Sequence, residues 1–408
     1  MRCRFCRNKL NQVFADLGMT PLANSYLPSD KLHLIEPLYP LIAFVCDQCY
    51  LVQLEEFASP SDIFSDYAYF SSYSDSWLKH AKEYTDYMIE RFNFSDISYI
   101  VEIASNDGYL LQNFSAQNIP VLGIEPAANI AIVAKEKGIP TVTKFFGQET
   151  ASELATESKQ ADLLLGNNVL AHVPDINDFV SGMKILLKPG GIITMEFPHF
   201  LCLINENQFD TIYHEHFSYI SFITVCTIFE ANGLAIFDVH LLNTHGGSLR
   251  IFAKHHENKQ QKIMPSVEEL KNKEISNGLN DIDTYKNFSN KMNTIKWKFL
   301  DLLISIKSEG KKIVAYGAAA KGNTLLNYCG INIDFIEYVV DRNPFKQNKF
   351  MPGSHIPIHS PDKIMITKPD YVLILPWNIK NEIMSQMSYI KEWGGKFITA
   401  IPDIEVIN

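Results

Sequence analysis

The period of the apolar positions changes along this chain, and the changes divide it into three. From residue 99 onward, short apolar runs with β-branched residues alternate with stretches of helical spacing. Residues 99–104, 121–125, 162–165 and 191–197 read as strands. Residues 109–113, 127–137 and 179–187 read as helices, the second closed by Gly138 and the third stopped by Lys188-Pro189-Gly190-Gly191. Such an alternation predicts a parallel, doubly wound sheet covered by helices. A second alternation begins at residue 312, with strands over 312–316, 335–340, 371–375 and 396–399 and helices over 321–328 and 378–390. Between the two, residues 256–310 are polar and helical. There Phe288, Met292, Ile295, Phe299 and Leu302 recur every three or four positions, an apolar stripe that predicts core or interdomain packing. Ahead of the first alternation lie a polar helical stretch, 76–91, and a turn-rich N-terminal segment. The expected fold is α/β, with a small N-terminal domain (1–58), a central Rossmann-like domain (59–254) and a C-terminal Rossmann-like domain (255–408).

Composition narrows the function. The chain has 408 residues, 46% of them apolar, enough for two or three well-filled cores. A formal net charge of −10 argues against a broad nucleic-acid-binding surface, while leaving room for a local basic pocket. The first ten residues, MRCRFCRNKL, lack the apolar run of a signal peptide, and no uncharged apolar stretch approaches the ~20 residues that span a bilayer. A cytoplasmic protein without membrane or nucleic-acid partners is expected, and a monomer, because the domains can cover one another.

Of seven cysteines, four form two tight pairs, Cys3 with Cys6 and Cys46 with Cys49; Cys202, Cys226 and Cys329 are scattered in apolar segments. Two C-x-x-C knuckles that converge make the four-sulfur tetrahedron that Zn²⁺ prefers, so a structural zinc is expected. Four protein ligands leave no open position, which gives the metal no catalytic role.

Glu102-Ile-Ala-Ser-Asn-Asp-Gly108 follows the first central strand as a small-residue turn that lets a ligand approach the backbone, and Glu125-Pro126 ends the second strand with an acid suited to ribose hydroxyls. NAD and S-adenosylmethionine (SAM) both fit these two features. The later order separates them. Asn167-Asn168 follows the next strand and Leu187-Lys-Pro-Gly-Gly191 precedes the one after, an order that resembles class I SAM methyltransferases. The candidate cofactor residues are Glu102, Ala104, Asn106, Asp107, Gly108, Glu125, Pro126 and Asn167.

Residues 209–217 are dense in ionisable groups: Asp210, Tyr213, His214, Glu215 and His216. In an extended segment His214 and His216 share one face. That spacing suits a metal pair, or one general base oriented by a carboxylate, and the second is preferred because the zinc already has its ligands.

Taken together, the motifs resemble the sugar C-methyltransferases that build branched deoxysugars, such as those acting at C-3 of TDP-linked 4-keto-2,3,6-trideoxy sugars. The resemblance runs through both cysteine pairs, Leu17-Gly-x-x-Pro-Leu-Ala23, Tyr67-x-Tyr69-x-Ser-Ser72, Glu102-Ile-x-x-Asn-Asp-Gly108, Asn168-x-x-x-His172, Tyr213-x-Glu215-His216, His245-Gly-Gly247, Tyr316-Gly317-Ala-x-Ala-Lys321, Asp341-x-x-Pro-x-Lys-Gln347 and Pro352-Gly-x-x-Ile-Pro-Ile358. The family's first SAM motif usually has Gly-Cys where this chain has Ala104-Ser105. The resemblance implies a general base at His216, with Glu215 and Tyr213 beside it. It implies that Asn168 and His172 line the pocket and that Tyr67 or Tyr69 closes over it. The Gly317-to-Gly322 turn with Lys321 suits a diphosphate of a TDP- or GDP-linked sugar, with His245, Arg250 and Lys346 as further contacts. The reaction so implied is SAM-dependent C-methylation of a keto sugar. O- or N-methylation of a related sugar, NAD-linked oxidation and a non-enzymatic binding module are the other readings.

Overall fold

The computed structural model describes residues 1–57, 71–73 and 75–408. Tyr67 and Tyr69, and the expected boundary at 58, lie outside the described residues.

The turn-rich N-terminal segment also carries an antiparallel sheet of β1 (Gln12–Thr20), β3 (Tyr39–Val45) and β4 (Val52–Leu54). A short β2 (Leu27–Pro28) leaves this sheet to pair with β15 (Lys349–Phe350), far along the chain.

The central sheet has seven strands: β5 (Ile100–Ile103), β6 (Val121–Ile124), β7 (Thr141–Val142), β8 (Ala161–Asn167), β9 (Leu187–Pro198), β11 (Leu234–Leu242) and β12 (Ser248–His255). Their spatial order is β11-β12-β9-β8-β5-β6-β7, parallel from β9 to β7 and antiparallel at β12 and β11. Every residue of β5 and β6 is buried, as expected of strands covered by helices on both faces. The neighbours of β5 lie on opposite sides, β6 on one and β8 on the other. The carboxyl end of β5 is therefore the switch point where doubly wound sheets hold ligands. Missing from this sheet is β10 (Ser218–Tyr219), which instead extends the N-terminal sheet beyond β4.

The C-terminal sheet orders β16 (Ile358–His359), β14 (Val339–Val340), β13 (Ile313–Tyr316), β17 (Tyr371–Ile374) and β18 (Lys396–Thr399) in parallel, with β19 (Glu405–Ile407) antiparallel at the edge. Two expected elements are shorter than their patterns. The strand expected over 335–340 keeps only Val339–Val340. The helix expected over 378–390 breaks into a 3-10 turn at Trp377–Ile379, an α-helix at Lys380–Gln386 and another 3-10 stretch at Ser388–Trp393.

The apolar stripe lies on the helix Phe288–Ser308, where Phe288, Met292, Ile295 and Phe299 are buried together with Leu303, while Leu302 is half-buried. Its first ring stacks on Phe14 of β1 (centroids 4.6 Å, planes 11° apart), and Phe14 in turn meets Phe200 at 5.4 Å. One apolar cluster therefore joins the N-terminal sheet, the segment after β9 and the C-terminal helices. No helix among the described residues is long and apolar enough to cross a membrane.

Candidate active site

Each cysteine pair sits on a tight turn that the backbone closes by returning to the first thiol residue: Arg7 N–H donates to Cys3 O and Tyr50 N–H to Cys46 O. Arg7 and Tyr50 both take left-handed φ to do so. The four sulfurs lie within 4.8 Å of one another, with Cys3 3.6 Å from Cys49 and Cys6 3.5 Å from Cys46. A tetrahedral metal with sulfur at about 2.3 Å has sulfur–sulfur edges of about 3.8 Å, so the cage has the size Zn²⁺ needs. Burial pushes the Cys6 thiol up to about 11. Gln53 Nε2 donates to Cys3 Sγ at 3.3 Å and its Oε1 accepts from Arg4 N–H, which fixes the first knuckle on β4.

At the end of β5, Ala104 (φ 55°), Asn106 (φ 49°) and Gly108 (φ 76°) alternate through the left-handed region, curling the chain into a tight loop. Gly108 has to be Gly: a Cβ there would lie 2.9 Å from Ile139. Glu125 anchors the loop, accepting from Asn106 N–H and Ala127 N–H at 2.9 Å each, one on either oxygen. A cleft of about 520 Å³ opens beside the loop, lined by Ala104, Asn106, Glu125, Pro126, Asn167, Asn168 and His172 among others. Behind the lining stand Gly108, Asp107, which pairs with Lys137 at 2.9 Å, and Glu102. Glu102 is fully buried, and neither carboxylate oxygen has a hydrogen-bond partner among the described residues. Burial, then Glu125 and Asp107, raises its pKa well above the carboxylate range. An orphaned buried acid behind this loop fits a cationic ligand; SAM carries both a sulfonium and an ammonium.

The ionisable segment is not extended. It makes a 3-10 turn at Phe209–Thr211 and turns again before β10. His214 and His216 therefore part company. His214 Nε2 meets Pro40 O at 3.1 Å on the N-terminal sheet, whereas His216 Nδ1 donates to Thr211 O at 2.9 Å and its Nε2 accepts from Tyr213 Oη at 2.8 Å. The expected carboxylate partner of His216 is replaced by a backbone carbonyl. The Glu215 carboxylate instead accepts from Asn24 Nδ2 at 2.6 Å, because the turn projects it toward the N-terminal domain. His172 Nδ1 donates to Glu215 O at 2.8 Å and its ring lies 4.7 Å from that of His216. Asn168, at φ 54°, donates to His245 Nε2 at 3.0 Å, and His245, Gly246 and Gly247 are three consecutive left-handed residues. Burial holds His172 and His245 near about 4, and burial with the neighbouring His172 holds His216 well below its ordinary value. All three imidazoles are neutral at pH 7.

Several participants carry no motif. Trp77 stacks on His80 (4.9 Å, 16°), its ring meets that of His245 at 5.3 Å, and His80 Nε2 contacts Glu196 Oε2 at 2.8 Å. Arg250, expected at the nucleotide, is buried and donates from Nε to Glu196 Oε1 at 2.6 Å; it is committed beneath the cleft, as a buried charge must be. Asp210, fully buried, accepts from Trp377 Nε1 at 2.7 Å, and burial raises it to about 6. The Gly317 turn is closed on itself: Ala318 N–H donates to Asp341, while Ala318 O accepts from Tyr26 Oη at 2.6 Å and Lys346 Nζ at 2.7 Å. Lys321 leaves that turn and donates to Asn378 Oδ1 at 2.8 Å. A second cleft of about 590 Å³ runs past Gly246, Trp377, Asn378 and Lys380.

Family models match three consecutive stretches: a zinc binding domain over residues 3–64, a methyltransferase domain over 77–239 and a C-methyltransferase C-terminal domain over 243–402. The C-methyltransferase NovU of Streptomyces niveus is 36% identical over 410 residues, spanning 100% of this chain and 96% of that protein. A ubiquinone biosynthesis O-methyltransferase of Chelativorans sp. (strain BNC1) is 30% identical over 95 residues, 23% of this chain and 38% of its own length. Among solved structures, magnesium protoporphyrin IX methyltransferase (ChlM) from Synechocystis PCC 6803 with bound SAM aligns at 13% identity with a TM-score of 0.33, over 43% of this chain and 78% of that one.

Proposed function

This chain belongs to the zinc-binding, SAM-dependent C-methyltransferase family, and from that premise we propose that it methylates a nucleotide-linked keto-deoxysugar, at C-3 of a 4-keto-6-deoxyhexose, with His216 as the base. Residues 1–58 would hold the zinc, 59–254 the SAM and 255–408 the nucleotide of a TDP- or GDP-linked sugar in the cytoplasm. The cleft along Trp377 and Asn378 offers room for that nucleotide.

A ketone acidifies the C–H beside it. His216 Nε2 takes that proton and leaves an enolate whose carbon is nucleophilic. The observation that carries the reading is the fixed tautomer of His216. With Nδ1–H tied to Thr211 O, the lone pair is on Nε2, beside His172 of the SAM cleft. Tyr213 Oη occupies that lone pair in the free protein, so the acceptor must displace it, and the freed hydroxyl can then turn to the substrate oxygen. Asn168 is a second donor on the cleft wall. When bound, SAM supplies an electrophilic methyl whose C–S bonding pair stays on sulfur. Glu102 would balance its positive charge and Glu125 would receive its ribose hydroxyls. Holding carbon, methyl and sulfur in line is then the main task of the scaffold.

The test is turnover in D₂O with SAM and a TDP-linked 4-keto-2,3,6-trideoxyhexose. Methylation at carbon with obligatory loss of the α proton is expected. His216→Asn should lower turnover by roughly 10²–10⁴ with SAM binding retained in calorimetry. An O- or N-methylated product, or full activity in His216→Asn, would end this reading.

A further inference from the structure

Lys321 is half-buried, and its ammonium has no carboxylate salt bridge among the described residues. It is the second residue of the helix Ala320–Cys329, which docks on the catalytic segment: Thr324 Oγ1 donates to Ile212 O at 3.0 Å, one residue before Tyr213. The ammonium lies 4.7 Å over the Trp377 ring. Trp377 abuts the His245-Gly246-Gly247 turn so closely that a Cβ on Gly246 would collide with its ring. Lys321 thus sits on the helix docked beside Tyr213 and against the indole that packs on the His245-Gly246-Gly247 turn. Of its three N–H donors, one goes to the neutral Asn378 Oδ1. Its charge disfavours protonation of His216 and His245 and favours the ionised form of Asp210. Asp210 is engaged by the Trp377 indole through one oxygen, and the other has no partner among the described residues.

On the reading that His216 generates a sugar enolate, we infer that Lys321 is a catalytic residue that faces the enolate oxygen rather than the nucleotide diphosphate. In the step it serves, the C-3–H bond breaks and its proton goes to His216 Nε2. The bonding pair becomes the C-3–C-4 double bond, and the carbonyl π pair moves onto O-4. The negative charge that appears on O-4 meets the ammonium of Lys321, which stabilises it electrostatically. Tyr213 and Asn168 offer that oxygen only neutral donors, whereas Lys321 offers a charge.

The experiment compares wild type with Lys321→Met and Lys321→Arg in the full zinc-loaded protein. It follows solvent-deuterium uptake at C-3 of a TDP-linked 4-keto-2,3,6-trideoxyhexose in the presence of S-adenosylhomocysteine, kcat and KM for methylation, and binding of TDP alone. In Lys321→Met, exchange and kcat should fall together by about 10²–10³, with TDP affinity within about threefold of wild type and Lys321→Arg recovering part of the rate. Unchanged exchange, or a large loss of TDP affinity with kcat kept, would assign Lys321 to the diphosphate and overturn the inference while leaving the methylation reading intact. A wild-type enzyme that neither exchanges nor methylates any keto sugar would remove that reading itself, and this role for Lys321 with it.

Discussion

The central and C-terminal sheets share a plan, and their switch points end differently. At the end of β5 the loop is open. Its acids are Glu125, which supports the loop, Asp107, which pairs with Lys137, and Glu102, whose oxygens have no hydrogen-bond partner among the described residues, and a cleft of about 520 Å³ stands beside it. At the end of β13 the same kind of small-residue turn is closed. Asp341 takes the Ala318 amide, Tyr26 and Lys346 take its carbonyl, and Pro376 fills the space over Gly317, 2.5 Å from where a Cβ would be. A sheet's topology therefore supplies a place for a ligand; whether the place is used depends on whether the chain's own groups already satisfy it. The C-terminal turn has become a mount for Lys321 and a docking point for the N-terminal loop.

Exchanging glycine for alanine at the two turns breaks the comparison most strongly. Gly108→Ala and Gly317→Ala both force a left-handed residue into a crowded position, each costing about 1–3 kcal/mol of stability by thermal unfolding. Only Gly108→Ala should also weaken SAM binding in calorimetry. Equal loss of SAM affinity in both variants would mean that the C-terminal turn is not closed.

Glu102→Gln sharpens it. Glu102 has its pKa raised in the fold, so its stability contribution is present below about 4.5 and lost as pH rises toward the folded value. Removing the charge should stabilise the free protein at pH 8 and weaken SAM roughly tenfold. A drop in melting temperature of the free protein would show that the carboxylate is compensated in some other way.

The smallest effect is on the acid side. His172, His216 and His245 have folded pKa values below the unfolded 6.5. Below pH 6.5 the unfolded chain binds more protons, so stability should fall between pH 6.5 and about 4. His245→Asn should flatten part of that slope in melting temperature against pH. An unchanged slope would place the acid-labile groups elsewhere.

Most strands were legible because a run such as Ile100-Val-Glu-Ile103 is apolar on both faces and bounded by turn residues. Each cysteine knuckle was legible because its two thiols are close in sequence, and the turn after β5 because its small residues are consecutive. What failed to show was set by contacts between distant segments. The helix expected over 378–390 follows a 3-10 turn whose Trp377 donates to Asp210 and breaks again at Met387, and the strand expected over 335–340 keeps its ladder only at Val339–Val340. The extended face expected for His214 and His216 gave way to a turn held by Thr211 O, with His214 claimed by Pro40. Trp77, His80 and Glu196 read as parts of a polar helical stretch and a strand, because nothing local marks residues that meet only after folding.

The stray strand β10 has a consequence for synthesis. Ser218–Tyr219 is made long after β4, the edge it covers. While the central domain is still emerging from the ribosome, Val52–Leu54 presents an unpaired ladder, the kind of surface on which nascent chains stick to one another. A truncated product ending before residue 218 would keep that edge bare, so the metal-bearing domain cannot be lifted out as a free-standing module without a cap for it.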